Sequence, residues 1–88
     1  MNPDKANFVA NLAHTLVQNN ATMRVSTLAE LLNENHYLTE YGTEFEGGRG
    51  TYKFLSSLYS YFKELGINPA ADEIASAFVK ADGNYAYE

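Results

Sequence analysis

Between Gly48 and Leu65 the chain carries one continuous helical stripe. Tyr52, Leu55, Leu58, Tyr59, Phe62 and Leu65 recur at the 3.6-residue period, and Phe54 and Tyr61 widen the face. Arg49, Lys53, Ser56, Ser57, Ser60 and Lys63 occupy the opposite side, and Gly66 follows as a helix-ending C′ residue. A helix this apolar on one face has to be covered, so the remaining segments must supply matching faces.

Three more helices meet that requirement. The first opens with Asn2 as cap, Pro3 at the first helical position and Asp4 in the first turn. Phe8, Val9, Leu12, Ala13, Leu16 and Val17 make its stripe, and Asn19-Asn20 ends it. The second is capped by Ser26 or Thr27, and Thr27 with Glu30 three residues later fits a capping box. Its stripe is Leu28, Leu31 and Leu32, and it stops within Asn33–His36. The fourth starts at Asn68-Pro69 by the logic of the first, buries Ala71, Ile74, Ala75 and Phe78, and places Lys80 at its C-terminal end.

Two short extended segments complete the chain. Residues 22–25 and 84–87 alternate weakly, with an Asp82-Gly83 turn before the second, and pairing 22–25 with 84–87 gives a minimal two-stranded sheet. Residues 37–50 lack a sustained period and hold Gly42, Gly47, Gly48 and Gly50, which marks a loop. The expected architecture is therefore mainly α. It is a single four-helix domain over 1–88, of helix-turn-helix or winged-helix type, with its core on Phe8, Leu12, Leu16, Leu28, Leu31, Leu32, Leu55, Leu58, Phe62, Ile74 and Phe78.

Size and composition narrow the function classes. Eighty-eight residues make a thin core and a shallow cleft, which disfavours a large two-substrate enzyme. Without cysteine there is no disulfide scaffold, thiol nucleophile or cysteine-ligated zinc. No apolar run approaches the ~20 residues of a membrane span, and Met1–Lys5 lacks a signal-peptide layout, so the expected location is the cytoplasm. His14 and His36 pair with no nucleophile at a known spacing. The acidic loop lacks the alternating ligands and glycine of a calcium site. No enzyme, metal or cofactor is expected.

Charge is informative by position. The total is −5, yet residues 47–63 carry Arg49, Lys53 and Lys63 with no acid, directly after Glu40, Glu44 and Glu46 with no base. A basic segment thus sits inside an acidic chain.

Leu28-Ala29-Glu30-Leu31-Leu32-Asn33, then Thr39, Gly42 and Phe45, then Thr51–Leu55 and Leu58, resembles the helix-turn-helix in the DNA-binding tails of large serine recombinases. Leu32-Asn33, Thr39, Gly42 and Phe45 fill that pattern, with His36 where glycine is usual, and the match covers about a third of the chain. The chain as a whole is similar to small proteins of bacterial plasmids and prophages with a Gly-Gly-Arg-Gly stretch and a tyrosine-rich end. The resemblance implies DNA binding, as a regulator or accessory factor of a mobile element, and no recombinase chemistry.

On that reading the third helix enters the major groove. Arg49 donates to guanine, Lys53 reaches a base or phosphate, and Thr51, Ser56 and Ser57 donate to phosphate oxygens, with Gly50 allowing close approach. Tyr85 and Tyr87 share one face of the final strand and offer a surface for a homodimer on palindromic DNA. The alternative is an acidic protein-interaction module, or DNA mimic, engaging a basic partner. In that case the Gly47–Gly50 stretch is only a loop and Arg49 is solvated.

Overall fold

The computed structural model describes residues 1–46 and 49–85, with the side chain of Arg49 outside that description. Among the described residues the order is α1 (Pro3–Gln18), β1 (Met23–Arg24), α2 (Val25–Glu34), α3 (Arg49–Glu64), α4 (Asn68–Ala77) and β2 (Phe78–Val79). The mainly helical class, four helices and a two-stranded sheet, is as the sequence leads one to expect.

Local chemistry explains most boundaries. Asn2 Oδ1 accepts from the backbone N–H of Asp4 at 2.9 Å and Lys5 at 3.4 Å, satisfying two orphan donors where Pro3 begins α1. Asn20, with φ 51°, turns the chain out of that helix. Gly66, with φ 76°, does the same after α3, where the Ile67 N–H donates back to the Phe62 carbonyl at 2.9 Å. The left-handed residue after α2 is His36, φ 62°, rather than an asparagine.

The expected caps differ at two helices. α2 begins at Val25 behind Arg24, with no side-chain cap, so neither Ser26 nor Thr27 acts as its cap. Val25 and Leu28 are both buried, and anchoring Val25 in the core outweighs the capping preference. α4 starts with Asn68 already helical and Ile67 at the cap position, without a side-chain cap bond.

The sheet forms with a different partner from the one expected. β1 pairs with β2 in parallel, Met23 opposite Phe78 and Arg24 opposite Val79. Phe78 leaves the helix in an extended conformation (φ −116°, ψ 135°) and is fully buried, so α4 ends at Ala77 and Lys80 lies beyond it. The turn at Asp82-Gly83 then folds the chain back, with the Lys80 N–H donating to the Asn84 carbonyl at 2.8 Å and Tyr85 bridging Val79 antiparallel. β2 therefore stands between β1 and Tyr85, so the described part of the expected final strand, residues 84 and 85, lies against β2 and not against 22–25. Tyr87 lies outside the described residues.

The core joins all four helices. α1 against α4 and α3 against α4 are the broadest contacts, and α2 touches α3 more sparsely. Leu28, Leu32, Leu55, Leu58, Phe62, Ile74 and Phe78 are buried as expected. Phe8, Leu12, Leu16 and Leu31 are only half-buried. The deepest residues of α1 are instead Ala6, Val9 and Ala13, and those of α4 include Ala71 and Ala77. Small residues let the two helix backbones approach closely, which leaves the larger α1 side chains along the margin. Leu65, expected on the α3 stripe, is exposed in the α3–α4 turn. No helix among the described residues is long and apolar enough to cross a membrane.

Candidate functional site

The loop 37–46 and the first two turns of α3 enclose an open cleft of about 710 Å³. Asn33 at the end of α2 and Lys5 in the first turn of α1 complete its walls, with Phe45 and Phe54 as the apolar part. Glu40, Glu44 and Glu46 line it, and so do Gly50, Lys53 and Ser57. The acidic loop and the helix expected to read DNA thus share one concavity.

Three side chains from three helices hold the loop, and all three bond to its backbone. Lys5 Nζ donates to the Leu38 carbonyl at 2.8 Å. Asn33 Nδ2 donates to the Phe45 carbonyl at 2.9 Å while its Oδ1 accepts the Phe45 N–H at 2.7 Å. The Thr51 hydroxyl donates to the Glu46 carbonyl. Within the loop, the Thr39 N–H donates to the Thr43 carbonyl at 2.8 Å, their hydroxyls are 2.8 Å apart, and Gly42 (φ 76°) makes the tight turn. Tyr41 stands at the tip, 92% exposed.

Because the anchoring uses backbone groups, the carboxylates are left unspent. Glu40, Glu44 and Glu46 are exposed and form no ion pair among the described residues. The two described pairs lie elsewhere: His14 with Glu73 at 2.7 Å between α1 and α4, and Lys63 with Asp72 at 3.5 Å between α3 and α4. No group of three His, Asp or Glu side chains suited to a metal ion occurs among the described residues.

The expected DNA contacts divide. Gly50, Lys53, Ser56 and Ser57 are exposed on α3, and Lys53 has no ion-pair partner among the described residues. Thr51 is a correction. It is 0% exposed with its hydroxyl committed to Glu46, so it pins the loop and cannot reach a phosphate. The side chain of Arg49 lies outside the described residues. Tyr85 is exposed beside the β2 bridge.

Sequence reasoning missed Lys5 and Asn33. The signal for Lys5 was its spacing, since Lys5, Val9 and Ala13 lie four apart on one face and all are buried. Asn33 and Phe45 both stand in the helix-turn-helix pattern, but nothing in the sequence shows that they bond to each other across twelve residues and an aperiodic loop. No family description, curated protein or solved structure matches the chain.

Proposed function

We propose that this chain is a protein-interaction module whose acidic cleft receives a basic segment of a partner protein. The observation that supports this reading is the position of Glu40, Glu44 and Glu46, which line the same cleft as Gly50, Lys53 and Ser57. Among the described residues, a phosphate backbone approaching the start of α3 meets three exposed carboxylates beside Lys53, with Lys5 buried in the wall, in a chain of net charge −5. A partner bearing lysine or arginine meets the reverse field, and the tethered loop presents its charges with little ordering left to lose on binding. A cytoplasmic location belongs to the same reading.

The rival reading is the DNA-binding regulator of a mobile element, supported by the exposed row Gly50, Lys53, Ser56 and Ser57 on α3. Parallel fluorescence-anisotropy titrations of a labelled Lys/Arg-rich peptide and a labelled duplex pool, near ~50 mM salt, separate the two. The module reading expects peptide binding that weakens with salt and with the triple substitution Glu40→Gln, Glu44→Gln, Glu46→Gln. Retention of duplex, lost in Arg49→Ala with Lys53→Ala, together with no peptide binding, replaces it with the DNA reading.

A further inference from the structure

Lys5 is 5% exposed, and no carboxylate pairs with it among the described residues. Its ammonium donates to the Leu38 carbonyl at 2.8 Å and lies 5.4 Å from the centre of the Phe45 ring and 5.2 Å from that of Phe54. A buried ammonium without an anionic partner is an expensive choice for stability alone, because one carbonyl and two ring faces replace only part of its hydration. A methionine of similar length would fill the same space without that penalty.

What a methionine cannot do is hold the loop. Lys5 sits in the wall of the cleft and also borders a second hollow beneath Leu38–Glu40. It therefore enters under the loop from α1 and meets it at Leu38, where the chain leaves α2 and starts toward the glutamates. Asn33 and Thr51 bond to the far end, at Phe45 and Glu46. The Tyr37 ring packs on Phe8 of α1 (centroids 5.3 Å) just before Leu38, and Lys5 makes the side-chain hydrogen bond from another element to the near end of the loop. The positive charge of Lys5 also shares the cleft with three carboxylates whose mutual repulsion opposes a closed loop.

We infer that Lys5 is a positioning residue that fixes the acidic loop over the cleft, at the expense of fold stability. The second half of its role, tuning the affinity of the cleft for a basic segment, rests on the function proposed above. It also shapes what the cleft accepts: with a cation already against the Phe45 and Phe54 rings, an incoming lysine or arginine is held at the glutamate rim and kept from the aromatic wall.

The test compares the parent with Lys5→Met by amide hydrogen exchange, thermal melting and titration with a Lys/Arg-rich peptide. The expected result is exchange at the Thr39 and Gly42 amides faster by roughly tenfold or more, the scale of one charge-assisted hydrogen bond. The α1 and α4 core amides keep their protection, the melting temperature holds or rises, and peptide affinity falls. Lys5→Ala is the second variant, in which millimolar n-propylammonium, refilling the vacated site, slows loop exchange again. Unchanged loop exchange in Lys5→Met overturns the inference, and so does an equal loss of protection throughout α1, α4 and the loop. If the loop loosens selectively but the parent binds no peptide either, the anchor stands and the proposed function falls.

Discussion

Asn33 and Phe45 are joined by two hydrogen bonds of opposite polarity, the Asn33 amide imitating a paired strand against the Phe45 backbone at 2.9 and 2.7 Å. Phe45 is buried and its ring lies 5.1 Å from that of Phe54, so the clamp seats both a backbone segment and an aromatic wall of the cleft. Asn33→Ala should destabilise the domain by about 1–3 kcal/mol, since the Phe45 N–H and carbonyl lose their partners together. Asn33→Asp should be at least as damaging near neutral pH, because a carboxylate oxygen then faces the Phe45 carbonyl. Urea unfolding measures both, and parental midpoints would show that the clamp contributes nothing.

Leu58 is completely buried in α3, the helix that packs broadly on α4. Leu58→Ala should cost about 2–5 kcal/mol. Half-buried Leu31 is the control, and its truncation should cost clearly less. Equal urea midpoints for the two variants would contradict the burial pattern.

Lys63 provides a titration test at the α3–α4 contact. Partial desolvation pulls its pKa down, but Asp72 and then Tyr59 outweigh that effect and leave it above the usual lysine value. A raised folded-state pKa means that any stabilisation is fully present below the unfolded lysine value. It is lost only as pH rises through the folded one. Asp72→Asn should therefore move the Lys63 side-chain titration, followed by NMR, to lower pH. An unmoved titration would show that Asp72 is not its partner in solution.

The parts of the fold that could be read in advance depend on local chemistry. Asn2-Pro3, the stripe from Tyr52 to Phe62 and Gly66 each carry their instruction within a few residues. The end of α4 does not. Phe78 continues the Ile74 stripe at helical spacing, and only the tertiary pairing with Met23 turns it into a strand. The site divides in the same way. Lys53, Ser56 and Ser57 are exposed on α3 as their positions on its polar face imply, whereas Thr51 looked like a polar donor and is buried because a loop carbonyl waits for it. How the acidic loop lies relative to α3 was beyond sequence reasoning. It is decided by anchors from α1, α2 and α3 at sequence separations of 33, 12 and 5.

Whether the acidic cleft receives a basic segment is read by a ¹H–¹⁵N NMR titration of the whole chain with a Lys/Arg-rich peptide, repeated with a DNA duplex at the same salt. The peptide should shift the amides of Thr39–Glu46 together with Gly50, Lys53 and Ser57, and the triple glutamate-to-glutamine variant should abolish those shifts. The duplex should leave these amides in place. Peptide-induced shifts confined to other surfaces, or duplex-induced shifts along Gly50–Ser57, would contradict that role of the cleft.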